Sequence, residues 1–340
     1  MKRYAIAPNS IAPHSIAPHS IALALACAVL LALGPLVLPP FYVRVGQLML
    51  YSAGLAVAWN ILGGFAGYAS FGHSAFIGVG AFAAGLAEVQ FSSLAPVEAL
   101  CLGLAAGMAA CAVLAAVIAY PILRLRGTFF AIAMLGVAHV CAELNNNIDA
   151  LQGSMGLNFP SVAPDNVAPE TFFYETYLLF GLVVLLVAWL IRRSRFGAGL
   201  LSIREDEDTA RMLGVPTERY KRTAFVVSAI LTGMLGVIYA HALGYITTDS
   251  VYRDDTNLNL VVFSLLGGMG TLFGPVIGAF LLVFVTQVIL ARLLDFHLFA
   301  TGLLLVILVL AAPGGVLGLT RTLRPRTLRP RTFRRRTGVP

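Results

Sequence analysis

The sequence predicts an all-α protein, built as a polytopic transmembrane helix bundle of about ten spans with N- and C-termini cytoplasmic. Three observations predict this class: an apolar composition, repeated apolar stretches of membrane-spanning length, and an uneven placement of positive charge. Of the 340 residues, 59% are hydrophobic and 11% are charged, whereas soluble domains carry about 25% charged residues. A water-soluble fold could not bury so much apolar surface.

The apolar stretches divide the chain into a membrane domain and two tails. Crossing the hydrocarbon layer takes roughly 20 mainly apolar residues in a helix. Residues 21–318 form the predicted membrane domain, which lies between a disordered cytoplasmic lead at 1–20 and an arginine-rich cytoplasmic tail at 319–340. Two of the spans, 128–143 and 259–271, are too short to cross alone, so we expect them to be extended or broken. The predicted spans are 21–38, 42–62, 73–91, 97–119, 128–143, 176–191, 223–241, 259–271, 274–292 and 298–312.

Lysine and arginine set the predicted orientation, because short cytoplasmic loops retain positive charge. With the N-terminus inside, the cytoplasmic segments hold 20 of the 23 Lys and Arg residues, and eight of these lie in the loop at 192–222. The external loop at 145–175 is rich in glycine and proline, which favours ordered turns over the mouth of the bundle. The tail has the composition for contact with anionic membrane lipids, and we expect no nucleic-acid partner.

The cytoplasmic loop at 192–222 contains a helix signal. Between Gly199 and Gly214 the pattern predicts one short amphipathic helix, with Ile203, Ala210 and Leu213 on one side. Gly214, followed by valine and proline, is a stop signal. Such a helix is either a solvated connector or a surface for a partner.

Two glycine-rich segments, LGGFAGYASFG and LGGMGTLFG, interrupt the apolar pattern in the two halves of the chain. Glycine lets helices approach closely and lets a helix break, and broken backbone at membrane depth must be buried or line a cavity. We therefore expect either tight packing at these segments or a passage between them. The candidates for lining a translocation path are Gly64, Gly67, His73, Ser74, Gly267, Gly268 and Gly270.

Several kinds of chemistry are not indicated. The four cysteines lack paired ligand spacing, and no metal site is predicted. The sequence contains neither a GxxxxGK[ST] phosphate loop nor the GxSxG and HExxH motifs, so no catalytic residue is proposed. A gradient-driven carrier predicts buried acidic pairs in mid-span, and none stands out, although this alternative stays open.

Five stretches, in this order, resemble the branched-chain amino acid permeases of ABC importers, specifically the larger of their two paired membrane subunits. They cover most of the chain outside its tails, from about residue 45 to residue 318. The stretches are GGFAGYASFGHSAFIGVGAF (63–82), LRLRGTFFAIAMLGVAH (123–139), IREDEDTARMLGV (203–215), AHALGYITTDS (240–250) and LLGGMGTLFGPVIGA (265–279).

The resemblance implies a role for the loop at 192–222. In that family a short helix that ends in glycine docks into the ATPase subunit and transmits its closure to the membrane helices. The residues implied in ATPase coupling are Ile203, Arg204, Glu205, Glu207, Ala210, Leu213 and Gly214.

The resemblance also implies the partners and the location. We expect a homologous permease subunit in a heterodimer, two ABC ATPase subunits that carry the ATP and Mg, and an external substrate-binding protein, in a bacterial inner membrane. This chain itself would bind no cofactor and would not be an enzyme. The implied cargo is a branched-chain or other apolar amino acid, with urea or short amides as the alternative.

Overall fold

The structure, a computed structural model, describes residues 30–91, 95–148, 151, 155–164, 166–289 and 302. The predictions for the lead at 1–20 and the tail at 319–340 lie outside the described residues, as does the last predicted span, 298–312, apart from residue 302. The described chain is mainly helical, as the fold class predicts.

The elements follow one another as short and long helices with one small sheet. In chain order they are α1 Gly34–Val37, α2 Pro40–Leu62, α3 His73–Gln90, α4 Pro96–Ile122, α5 Thr128–Asn147, β1 Leu157–Asn158, α6 Pro169–Arg193, α7 Arg195–Glu205, α8 Glu207–Met212, α9 Thr217–Leu243, β2 Tyr245–Ile246, α10 Thr248–Val251, α11 Asp254–Gly267 and α12 Gly274–Phe284, which continues as a π-helical turn Val285–Ile289.

Five of the described helices are long and apolar enough to cross a membrane: α2, α4, α5, α6 and α9. They fall into a central and a peripheral group. In α2 and α9, 67% and 72% of the most apolar window is buried, whereas 22% to 28% is buried in α4, α5 and α6. The peripheral helices thus expose apolar faces, as lipid-facing helices do, and the chain is a multi-pass membrane protein.

Glycine sets the contact between α3, α4 and α9. A Cβ atom at Gly80 of α3 would lie 2.7 Å from the carbonyl oxygen of Gly233 in α9, and one at Gly107 of α4 would lie 2.7 Å from the carbonyl oxygen of Gly80. Only residues without a side chain allow these backbones to touch, which is how membrane helices without a hydrophobic driving force pack closely.

The predicted span 128–143 is extended by one turn to Asn147, as expected of a span too short to cross alone, so α5 has 20 residues and is long enough to cross. The structure also corrects one expectation. The all-α expectation omits a two-stranded antiparallel sheet in which Leu157, in the predicted external loop, pairs with Ile246. Strands of two residues have no periodicity that a sequence could reveal.

The bundle has two distinguishable ends. We call the end that carries α7 and α8 the loop end, and the end that carries the sheet the strand end. At the loop end, Arg126 contacts Asp208, and Lys221 contacts the carbonyl of Leu123. Two of the segments that the charge pattern predicts to be cytoplasmic, the turn at 123–126 and the loop at 192–222, therefore meet at one end of the described chain.

Candidate coupling site at the loop end

The loop at 192–222 folds as two helices, so the predicted single helix is wrong. Ser194 caps α7 by accepting a hydrogen bond from the backbone N–H of Gly197 at 3.1 Å. Asp206 separates the helices: its backbone is extended, and its carboxylate accepts from the N–H of Thr209 at 2.6 Å. An aspartate that caps a new helix ends the old one, and this cap also lowers the pKa of Asp206.

The predicted apolar side of this loop is only partly formed. Ile203 and Ala210 are buried against the bundle. Leu213 does not join them, because α8 ends at Met212 and the chain then turns at Gly214, whose φ is +87°. Leu213 and Met212 are 78% and 87% exposed. The loop therefore packs against the bundle through Ile203 and Ala210 and exposes the large apolar side chains of Met212 and Leu213.

Arg204, at the end of α7, connects the loop to both glycine-rich segments. We call residues 63–72, between α2 and α3, the first break, and residues 268–273, between α11 and α12, the second break. Nη1 of Arg204 donates to the carbonyl of Gly64 at 2.9 Å and to the carbonyl of Met269 at 3.3 Å. Its side chain also packs on Gly67 and Gly270, where a Cβ atom would contact or displace it.

The two breaks are also joined directly. The side chain of Asn60, in the last turn of α2, accepts from the backbone N–H of Gly270 and donates to the carbonyl of Thr271, each at 2.9 Å. Arg192, at the end of α6, donates to the carbonyl of Gly270. Backbone N–H and carbonyl groups of the second break that lack a partner within a helix are therefore hydrogen-bonded by side chains from α2, α6 and α7.

Glu207, at the start of α8, lies in a buried ionic cluster. Lys221, which is 1% exposed, donates from Nζ to Glu207 Oε1 at 2.8 Å, and the hydroxyl of Tyr68 donates to Glu207 Oε2 at 2.6 Å. Lys221 also donates to the Tyr68 hydroxyl and to the carbonyl of Leu123, both at 3.1 Å. Since Tyr68 belongs to the first break, the second loop helix is attached to the same break as the first.

The surroundings of Glu207 determine its ionisation. Burial alone would raise the pKa of Glu207, but the hydrogen bonds from Lys221 and Tyr68, with the charges of Lys221 and Arg126, bring it below its usual value. The pKa of Tyr68 is raised by burial and by its hydrogen bond to this carboxylate. The cluster is therefore a carboxylate held by a lysine and a neutral phenol.

An exposed contact extends the cluster. Arg126 makes a two-pronged hydrogen bond to Asp208, with both distances 3.0 Å, and lies 3.6 Å from Glu207. This pairing lowers the pKa of Asp208. Glu205, which the resemblance also implies in coupling, is exposed. Of the residues predicted for coupling, the structure thus attaches Arg204 and Glu207 firmly and leaves Leu213 and Gly214 outward.

His73 and Ser74, the predicted path residues beside the first break, are fully buried and tie helices together. The ring of His73 lies 3.0 Å from Ser70 Oγ and 2.8 Å from Ser228 Oγ, and Ser228 donates its own proton to the carbonyl of Ala58. His73 therefore carries a proton on Nε2, which faces Ser228. Each of these groups has a hydrogen-bond partner within the protein.

Ser74 links α3 to α11. Its backbone N–H donates to Asn257 Oδ1 at 2.9 Å, and Asn257 Nδ2 donates to its hydroxyl at 2.7 Å. Gly267 packs against Gly274 where α11 turns into α12, and Gly268 adopts a φ of +119°. A role for these residues in lining a path stays a prediction. In this conformation they lie in the contacts between helices.

Sequence reasoning missed several members of the site, among them Lys221, Tyr68 and Asn60. Lys221 is one of eight basic residues in its loop, and nothing in the local sequence distinguishes the buried lysine from the other seven. Tyr68 lies in the first glycine-rich segment, where glycine is the residue type that carries the pattern. Asn60 offered the only usable signal, since an asparagine inside an apolar stretch needs partners.

These features define a class: a multi-pass α-helical membrane protein in which one polar loop is fastened to two breaks in the membrane helices. The sequence from residue 45 to residue 312 matches the family described as branched-chain amino acid transport system / permease component. The chain belongs to this family. It is a membrane permease component of an ABC transporter and not an enzyme.

Individual relatives agree with the family. The chain is 27% identical over 298 residues to the high-affinity branched-chain amino acid transport system permease protein LivM of Escherichia coli, covering 78% of this chain and 68% of the relative. LivM of Salmonella typhimurium is equally similar. The autoinducer 2 import system permease protein LsrC of Yersinia pseudotuberculosis is 30% identical over 132 residues, which is 36% of this chain and 37% of the relative. No solved structure matches the chain.

Proposed function

We propose that this chain is one transmembrane subunit of an ATP-driven importer for branched-chain or related apolar amino acids. The observation that carries the mechanism is the attachment of α7 and α8, through Arg204 and Glu207, to both helix breaks. ATP and Mg would be bound by two partner ATPase subunits, because the sequence has no phosphate loop. An external binding protein would deliver the cargo.

The loop end would face the cytoplasm of a bacterial cell and dock the ATPase. The exposed side chains of Met212 and Leu213 project beside Gly214 at the turn after α8. Large apolar side chains that have no cover within the described chain are the anchors expected at the core of a protein interface. The basic residues concentrated in the loop support the cytoplasmic assignment.

Closure of the ATPases would move the loop helices as one body and, with them, both breaks. A force applied at Leu213 reaches the first break through Glu207 and Tyr68, and it reaches the second through Arg204 and Met269. Polar side chains bound to backbone carbonyls transmit such a displacement directionally, whereas apolar contacts can slide. The breaks are the places where α3 and α12 could change their angle to α2 and α11.

A homologous permease would cover the outer face of α5, forming a heterodimer with the passage at the interface. The packed side of α5 is narrow, with Phe130, Met134, Ala138 and Asn145 buried. Its other side exposes Gly136 beside His139, which lies 3.7 Å from the carboxylate of Asp254. Polar and ionisable groups within a span normally face a bundle interior or an aqueous path, so the strip of α5 around His139 is the part that the second permease would cover.

The test is site-directed cross-linking in the assembled complex. Leu213→Cys should cross-link to the ATPase subunit, and nucleotide should change the yield. Val113→Cys, which is 65% exposed on the peripheral helix α4, is the matched apolar control and should give no such product. Uptake of labelled leucine, isoleucine and valine into proteoliposomes would test the cargo.

Two results would overturn the proposal. The first is the absence of any ATPase cross-link at Leu213 in a complex that transports. The second is uptake by the purified chain alone, driven by an ion gradient.

A further inference from the structure

A groove runs along the outer surface between α4 and α9, near the loop end. Its volume is about 310 Å³. Its walls are mainly alanine and valine, and one end is closed by an arginine. The lining residues are Ala116, Ala119, Arg222, Thr223, Val226 and Val227.

The arginine end of the groove carries two guanidinium groups. The Cζ atom of Arg124 lies 4.0 Å from the centre of the Tyr120 ring, and that of Arg222 lies 4.9 Å from the same ring. The ring is itself 52% exposed. Both guanidinium groups thus lie against one aromatic side chain, where the last turn of α4 meets the first turns of α9.

Carboxylates do not balance this charge. Glu218 lies 3.7 Å from Arg222 but is also within 3.6 Å of both Arg211 and Lys221. Arg124 makes no ion pair within the described part of the chain. The Nε atom of Arg222 is buried and has no hydrogen-bond partner among the described residues. A buried donor without an acceptor is costly, so an anionic acceptor from outside the chain would complete this site.

We propose that the groove binds an anionic phospholipid, with its phosphate at the arginine end, on Arg222 and near Arg124, and one acyl chain along Ala116, Ala119 and Val226. The two ends of the groove match the two ends of such a molecule. Tyrosine and arginine at a helix end are typical of the headgroup level, and basic pockets between membrane helices on the cytoplasmic side bind anionic headgroups. The apolar part lies on the side of the arginines that faces the middle of the bundle.

Lipid fits the groove better than a protein helix does. Close helix packing in membranes favours small residues at the contact, but Val113 and Val117 project from the same helix and are 65% and 68% exposed. An acyl chain passes between such side chains more easily than a helix packs against them. The site lies outside α5 and the loop helices, and only its assignment to the cytoplasmic side rests on the proposed function.

The test measures lipid binding to the full-length protein, purified in a neutral detergent. Phosphatidylglycerol, phosphatidylcholine and inorganic phosphate are titrated separately, with retained lipid counted by native mass spectrometry. The variants are the double substitution Arg124→Gln/Arg222→Gln and, with the charge unchanged, Ala119→Trp, which fills the apolar part. Arg193→Gln is the control, because Arg193 also stacks on an aromatic ring, Trp189, at 4.4 Å.

We expect phosphatidylglycerol to bind the original protein and the Arg193→Gln control equally. The double variant should bind about 30-fold more weakly, since each basic residue near an anionic headgroup contributes about fivefold. Ala119→Trp should also lose binding, and it keeps the test valid if the double variant does not fold.

Three results would overturn the proposal: unchanged phosphatidylglycerol binding in both variants, equal binding of phosphatidylcholine, and saturation of the site by inorganic phosphate alone. A fourth would be cross-linking of Ala119→Cys to another polypeptide in native membranes, since this would place a protein in the groove.

Discussion

Removal of the Lys221 ammonium should destabilise the protein strongly, because Lys221 is the main counter-charge of a buried carboxylate. Lys221→Met keeps the length and apolar stem of the side chain but removes the donors to Glu207, Tyr68 and Leu123. Breaking a buried ion pair from one side costs about 3–5 kcal/mol. We expect about 3 kcal/mol, the lower end, because Tyr68 and Arg126 still contact the carboxylate.

A double-mutant cycle separates the ion pair from its surroundings. When Glu207→Gln is added to Lys221→Met, no uncompensated charge remains, so the double variant should lose at least about 1.5 kcal/mol less than the sum of the single variants. Arg253 and Asp255 provide the matched control pair. They lie 2.6 Å apart but are 55% and 53% exposed, and the coupling between such surface charges is below about 1 kcal/mol.

The assay is reversible unfolding in mixed micelles, followed by circular dichroism at fixed lipid and detergent composition. The reasoning would be refuted by a loss below about 1 kcal/mol for Lys221→Met. It would equally be refuted by a coupling energy for Lys221 and Glu207 no larger than that of the control pair.

Three further predictions follow from the same contacts. Arg204→Ala should lower coupled uptake by about tenfold or more while the ATPase still co-purifies, because the second break loses its link to α7; unchanged uptake in proteoliposomes would contradict this. The folded protein lowers the pKa of Glu207, so its contribution is complete above the unfolded carboxyl pKa of about 4.3 and is lost as pH falls through the lower folded pKa. Glu207→Gln should remove that part of the acid sensitivity in thermal unfolding between about pH 7 and about pH 3. Gly80→Val should destabilise the chain by about 1–3 kcal/mol or more, because its side chain would meet the backbone of Gly233. Gly136→Val has open space around it, so it should change the stability of the isolated chain by less than about 0.5 kcal/mol. Its effect should be confined to pairing with the second permease.

The helices and the loop were predictable because they depend on composition summed over many residues. Twenty apolar residues specify a membrane helix almost regardless of order, and the positive charges mark one face. The predicted start of the sixth span, residue 176, was late by about two turns because α6 begins at Pro169. Its first turns carry glutamate and tyrosine, which a hydropathy pattern excludes although proline at the first helical position favours a start there.

The site was less predictable because its contacts join residues that are far apart in the chain. Asn60 pairs with Thr271, and Tyr68 pairs with Glu207. No local pattern indicates such a pairing in a single sequence. The division of the loop at Asp206 was missed for a different reason. The acidic run at 205–208 predicts the polar face of one helix, but Asp206, a member of that run, caps a second helix.

The proposed coupling role rests on the chemistry of the attachments between the loop and the two breaks. Arg204 and Lys221 each donate to backbone carbonyls, of Gly64 and Met269 in one case and of Leu123 in the other. Those carbonyls belong to helix ends or breaks, where the normal intrahelical donor is missing. Backbone carbonyls that lack an intrahelical donor need a donor from elsewhere, and in this structure the loop supplies it to both breaks. Displacement of the loop would then shift both breaks together, without any requirement for apolar packing between them.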